Sequence, residues 1–176
     1  MPKYFSYYPK ILYDVEGNGN PKVITNLLRR VKIKNGLKES ASLFDEVEVQ
    51  NGETPEILAD NFYGDQKYYW IILLFNNIKD RFYDWPLSQD QFEKYVNDKY
   101  SDINGIHHYE IAQESGPTTS FDHSHKIQVN STVSGATSVT NYEYELRKQL
   151  AKGRIKLLRS EFLDLITEEF STLIGA

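Results

Sequence analysis

Apolar and polar positions change period several times along this chain, and each change predicts an element. Residues 3–14 alternate loosely between aromatic and polar groups, with two prolines within the first nine positions. That pattern predicts an extended arm or edge strand with too little surface to fold alone. Residues 16–20, EGNGN, predict a turn. Asn20 then offers an N-cap with Pro21 at the first helical position, and Val23, Ile24, Leu27, Leu28 and Val31 follow at helical spacing. A short amphipathic helix to about Arg30 is expected. Alternation resumes at Val31 and Ile33 and stops at Asn35-Gly36, a tight-turn signal.

The next segment is the densest in signals. Residues 43–50, LFDEVEVQ, alternate as a half-buried strand. Leu43, Asp45, Val47 and Val49 share a face, and the carboxylate in that row predicts that the strand begins near Glu46. Asn51-Gly52 turns the chain, and Thr54 caps a helix opened by Pro55, with Ile57, Leu58 and Phe62 as its buried stripe. Gly64 stands where a C-cap glycine belongs. Asp65 caps a second helix whose apolar face is Tyr69, Trp70, Leu73 and Leu74. Ile71, Ile72 and Phe75 fill much of the remaining surface, so this helix should be largely buried. Asn76-Asn77 ends it.

Ser88-Gln89-Asp90-Gln91 is a capping box for a third helix, with Phe92, Tyr95 and Val96 on one face. Residues 103–113 and 123–130 alternate as strands around the Gly116-Pro117 turn region. Residues 131–140 are rich in Ser, Thr and Gly and are expected to be the least ordered interior stretch. A helical piece near residues 142–152 follows, then a breaker at Gly153 and alternation in which Ile155 and Leu157 flank Lys156. Ser160 should cap a terminal helix with Phe162, Leu165, Ile166, Phe170 and Leu173 on its apolar side. No internal repeat is visible.

Composition narrows the function classes. The chain has 176 residues, one ordinary domain or two very small ones, and its aromatic content of 14% is high. Tyrosine, present 13 times, combines an apolar face with a polar tip and suits interfaces as well as thin cores. A net charge of −5 argues against attraction to nucleic acid or anionic membranes. Lys22, Arg29, Arg30, Lys32, Lys34 and Lys38 make one segment basic. Asp45, Glu46, Glu48, Glu53, Glu56, Asp60 and Asp65 make the next acidic. Such opposed patches favour head-to-tail contacts with partners or copies, although a merely solvated surface is the commoner explanation. The absence of cysteine removes disulfides, thiolate nucleophiles and Cys-based zinc sites. The N-terminus shows no long apolar run, and no stretch approaches a membrane span, so folding in a cytoplasm-like compartment, or export from one without a Sec signal, is expected.

Candidate chemistry is thin. His123 and His125 would face one side of a strand, and His107 or His108 could come alongside as a metal site. Without a recognised ligand spacing, surface strand residues are the simpler reading, and neither metal nor cofactor is expected. Asp80 with Asp84, or Glu46 with Glu48, could pair as acid and base, but nothing puts either pair in a pocket. No catalytic or phosphate-cradling motif occurs, so an enzyme is not expected. The six rings Tyr68, Tyr69, Trp70, Phe82, Tyr83 and Trp85 lie within eighteen residues, more than so small a core can enclose. Phe82, Tyr83 or Trp85 is therefore expected to meet another element or subunit.

Two resemblances organise these observations. The run Asn51-Gly52-Glu53-Thr54-Pro55 to Tyr63-Gly64-Asp65, then Tyr69-Trp70 and Asn76-Asn77-Ile78, resembles a LysM domain, a βααβ fold. A wider resemblance covers nearly the whole chain. The aromatic arm, YGD…YWIILLFNNI, the exit DRFYDWPLS, the HHYE strand and the closing RIKLLRSEFL are similar to the phage baseplate wedge protein 53 family of contractile-tailed, T-even-like viruses. After Ile78 the second strand usual in LysM is replaced by residues 80–88, which argues against sugar binding.

The resemblance implies an α+β protein. It would have a small LysM-like βααβ core, an extended N-terminal arm, a β-hairpin-like middle region and a C-terminal helix. The expected divisions are residues 1–43, 44–88 and 89–176. It implies a structural subunit of the virion tail baseplate, assembled in the host cytoplasm, that joins neighbouring wedges around the hub without catalysis. Its partners would be other wedge and hub proteins, with no nucleic acid and no membrane. Interface candidates are Tyr4, Phe5, Tyr7, Tyr8, Phe82, Tyr83, Trp85, Phe162 and Phe170. The alternative is a peptidoglycan-binding module, with Gly52, Glu53, Thr54, Asn76, Asn77 and Ile78 walling a groove. A metal-dependent wall hydrolase built on the histidines is a third possibility.

Overall fold

A computed structural model describes residues 4–38, 40–112 and 126–175 of the chain. In order, the elements are a 3-10 turn at Tyr4–Tyr7, strands β1 (Lys10–Tyr13) and β2 (Lys22–Thr25), helix α1 (Asn35–Lys38) and strand β3 (Phe44–Glu48). Helices α2 (Pro55–Tyr63), α3 (Tyr69–Phe75), α4 (Arg81–Asp84) and α5 (Gln89–Lys99) follow. Strands β4 (Ile106–Ala112), β5 (Lys126–Val129) and β6 (Thr137–Thr140) lead to α6 (Asn141–Gly153), β7 (Arg154–Leu158) and α7 (Leu163–Gly175). The class is α+β, as expected.

The chain forms two compact units, one running to Trp85 and resuming at Gly153, the other being Pro86–Lys152. In the first unit β3 pairs antiparallel with β7, Phe44 opposite Leu158 and Glu48 opposite Arg154. The strand that completes this sheet therefore comes from far along the chain. Helices α2 and α3 bridge the strands. Thr54 Oγ1 accepts from Ile57 N at 3.3 Å to start α2, and Gly64 ends it at φ +73°, where a Cβ would be strained. Asp65 Oδ1 accepts from Lys67 N at 2.9 Å and caps a 3-10 turn that runs into α3. Trp70, Ile71, Ile72 and Phe75 of α3, Ile155, Leu157 and Leu158 of β7, and Phe170 and Ile174 of α7 form the centre of the core.

In the second unit β4 is the middle strand, with β5 and β6 antiparallel on either side. The Ser88 capping box opens α5 as expected, and Phe92 and Val96 are buried on it. Phe92 meets Tyr142 of α6 edge-on at 5.5 Å between centroids.

Several expectations are corrected. The helix expected over residues 20–30 is instead β2, because Val23-Ile24-Thr25 is a β-branched run and pairs with β1. Asn35-Gly36 opens a short helix rather than a hairpin turn. β3 begins at Phe44, not near Glu46: Phe44 is buried edge-on to Phe75, 5.1 Å between ring centroids. On α2 the buried residues are Pro55, Leu58 and Ala59, while Ile57 and Phe62 are exposed. Tyr95 is exposed on α5. Part of the stretch expected to be least ordered is β6, whose Val139 is buried. Ser160 makes no side-chain cap; a 3-10 turn, Ser160–Phe162, leads into α7. On α7, Leu163, Phe170 and Ile174 are buried and Leu165 and Leu173 are exposed.

Candidate protein interface

The aromatic arm is largely spent within the chain. Tyr4 and Tyr7 pack on Trp70 of α3 and Phe170 of α7, with ring centroids 5.5–6.0 Å apart. Trp70 and Phe170 themselves lie 4.5 Å apart. The Tyr4 and Tyr8 hydroxyls share a 2.6 Å hydrogen bond. Burial, then that hydrogen bond, push the Tyr4 phenol above its ordinary pKa. Phe5 stacks edge-on against Tyr4 and stays exposed. Of the arm and α7 candidates, then, Phe5 is presented outward, Tyr4, Tyr7, Tyr8 and Phe162 are half-buried, and Phe170 is core.

The aromatic exit after α3 is arranged differently. Asp80 caps α4, its Oδ1 accepting from Phe82 N at 2.8 Å. Asp84 Oδ2 accepts from Lys79 N at 2.9 Å and Asp80 N at 3.0 Å, closing the turn from the other side. The two carboxylates considered as an acid/base pair thus hold backbone. Arg81 reaches Glu56 of α2 at 2.6 Å. Trp85 is 6% exposed, and its indole N–H donates to Glu53 O at 2.8 Å. These anchors present Phe82 and Tyr83 at 80% and 75% exposure. A large apolar ring so placed is a ready contact for another surface.

The residues proposed for a glycan groove are engaged with the chain's own backbone. Gly52 turns at φ +75°. The Glu53 carboxylate accepts from Gln50 N at 3.1 Å and from Asn61 at 3.4 Å, and Thr54 caps α2. Asn76 Nδ2 donates to Ile72 O and Lys156 O, and its Oδ1 accepts from Lys156 N. Asn77 takes a positive φ of 56°, and Ile78 N donates to Leu73 O at 2.9 Å.

In the second unit, His107 Nδ1 lies 2.9 Å from His108 Nδ1, and the His107 ring stacks on Tyr144 at 3.8 Å. Burial, then the neighbouring His108, lower the His107 pKa. Both histidines border a shallow recess lined by residues 107–109 and 128–131. His123 and His125 lie outside the described residues. Among the described residues no three metal-ligating side chains cluster, and no helix is long and apolar enough to cross a membrane.

Two buried carboxylates escaped the sequence reading. Glu110 on β4 meets Arg147 and Lys126, each at 2.7 Å. Those hydrogen bonds, Arg147's first, hold its pKa down to about 2 against the opposing effect of burial. Glu145 on α6 is buried, which favours protonation. Hydrogen bonds from Lys99 and Tyr100, both 2.8 Å, outweigh that and lower its pKa. The i, i+3 relation of Glu145 to Lys148 was visible beforehand; the cross-element partners were not.

Comparison with known proteins gives the class: structural proteins of the phage tail baseplate. The chain belongs to the family described as Base plate wedge protein 53, whose model matches residues 4–121. It is also similar to the baseplate wedge protein gp53 of Enterobacteria phage T4, with 24% identity over 123 residues. That match covers 62% of this chain and 63% of the relative's length.

Proposed function

We propose that this chain is a structural subunit of a contractile tail baseplate, joining neighbouring wedges around the hub through protein contacts and without a catalytic step. The carrying observation is the Phe82–Tyr83 pair, held outward by Asp80, Asp84, Arg81 and Trp85. An unsupported surface ring would lose side-chain and backbone freedom on docking; a pre-positioned one loses little. In this reading β3, α2, α3 and β7 make a LysM-like βααβ docking block, with β7 as the second strand that the sequence after Ile78 lacks. Residues 44–88 supply most of the block, and the segments on either side supply further wedge contacts. The partners are other wedge and hub proteins. The peptidoglycan reading is less well supported, because the Asn76 amide is spent on Ile72 and Lys156.

The test replaces Phe82 and Tyr83 together by alanine in the phage that encodes the chain. Wedges should form but fail to close into rings, seen by sedimentation and electron microscopy. Rings that close normally would sink the reading. Retention of the unaltered chain on insoluble peptidoglycan, lost when residues 52–54 are changed, would favour the cell-wall alternative.

A further inference from the structure

Among the described residues, the β1–β2 hairpin carries apolar side chains that stay exposed. Leu12 and Val23 are cross-strand partners, 68% and 64% exposed. Tyr13 at the end of β1, Val15 beyond it, and Leu27 and Leu28 beyond β2 are exposed as well. Flanking side chains are anchored: Tyr4, Tyr7 and Tyr8 before the hairpin and Val31 and Ile33 after it pack on the core. Among the described residues, no strand residue of the hairpin joins that core, and neither strand has a second neighbour. A two-stranded ribbon alone in water is marginal, and its outer edges carry backbone donors and acceptors that a third strand can use.

Charge names the third strand's chemistry. Residues 4–34 contain six lysines and arginines against two carboxylates, in a chain of net −5. Lys22 is paired with Glu16, but among the described residues no carboxylate pairs with Lys10, Arg30, Lys32 or Lys34. A segment that fits must be extended, apolar opposite Leu12 and Val23, and acidic on its flanks. The chain's own acidic strand β3 suits this poorly, since it is already paired with β7 and its Asp45 is held by Arg159 at 3.3 Å.

We propose that the β1–β2 hairpin is a strand-addition site that takes an acidic, extended segment of a different baseplate protein. This rests on the baseplate reading and names the partner chemistry at one of its contacts. Strand addition supplies affinity through main-chain hydrogen bonds, and the exposed pair and flanking cations supply selectivity.

Hydrogen exchange at single-amide resolution can compare the chain alone with the chain in purified baseplates. Outward-pointing amides of residues 10–13 or 22–25 should slow by about a hundredfold or more on assembly. A carbodiimide should link Lys10, Lys32 or Lys34 to an Asp or Glu of another protein. Outward amides that exchange equally fast in both states would overturn the proposal, as would links only to a second copy of this chain. The Leu12→Lys, Val23→Lys double variant should keep its thermal unfolding curve yet enter baseplates about tenfold less than the unaltered chain. Equal entry of both overturns only the hairpin assignment. Failure of the unaltered chain to enter removes the baseplate reading itself, and this inference with it.

Discussion

The side-chain amide of Asn76 brackets the peptide of Lys156, 80 positions away: Nδ2 donates to its carbonyl at 2.8 Å and Oδ1 accepts from its N–H at 2.9 Å. One side chain thereby fastens the end of α3 to β7 and stands in for a neighbouring strand. The same Nδ2 also donates to Ile72 O at 2.9 Å, closing the helix. Three hydrogen bonds converge on a half-buried residue that was expected to end a helix and, in the peptidoglycan alternative, to wall a groove.

Asn76→Ala should therefore destabilise the first unit by about 2–3 kcal/mol, since it removes both hydrogen bonds to the Lys156 backbone and the one to Ile72 O. Urea unfolding followed by tryptophan fluorescence measures it, because Trp70 and Trp85 both belong to this unit. A loss indistinguishable from zero would mean that water replaces the amide at no cost.

Neighbouring rings at the aromatic exit should behave in opposite ways. Trp85→Ala empties a buried site and removes the donor to Glu53 O, a cost of about 3–5 kcal/mol. Phe82→Ala and Tyr83→Ala should each stay within about 0.5 kcal/mol of the unaltered chain in the same assay, since both rings face solvent. A large loss for Phe82→Ala would show that the ring supports the fold rather than a contact.

Acid should weaken the second unit through Glu110. Its folded carboxyl has a pKa of about 2 against an ordinary 4.5, so the folded state binds the proton less readily than the unfolded chain does. The contribution is complete above the ordinary value and disappears as pH falls from about 4.5 toward about 2. Glu110→Gln should flatten stability against pH in that window, read from the β4 amide resonances. An unchanged acid limb would remove Glu110 from the account.

The start of α6 offers a test of coupling. Thr140 Oγ1 accepts from Glu143 N at 3.2 Å, and Glu143 Oε2 accepts from Thr140 N at 2.9 Å, a reciprocal box. Thr140→Ala should cost about 1 kcal/mol. Glu143→Ala added to it should cost less than it does alone, because each bond helps to position the other. Strict additivity in thermal unfolding would show two independent contacts.

Local chemistry was readable where a residue acts on its near neighbours. Thr54 and Pro55 at the start of α2, Gly64 at its end and the Ser88 box of α5 all work within a few residues, so their spacing in the chain is their spacing in space. The Thr140-x-x-Glu143 box carried the same signal and was passed over in favour of the Ser/Thr/Gly composition before it. Family membership was legible for a related reason: the aromatic and Asn-rich blocks are contiguous strings.

Tertiary structure decided what depends on a partner distant in sequence. Whether Val23-Ile24-Thr25 became helix or strand turned on β1, since a short apolar run fits both periods until a neighbour supplies the ladder. The exposure of Ile57 and Leu165 followed from how α2 and α7 are rotated against the core, which spacing alone leaves free. Spacing could also not separate Trp85 from Phe82 and Tyr83. Sequence by itself determined the caps of α2 and α5, the α+β class and an excess of aromatic rings; only the packed chain chose which rings fill its core and which remain for another surface. Burial is a property of the whole packed chain, and a row of side chains along one segment does not contain it.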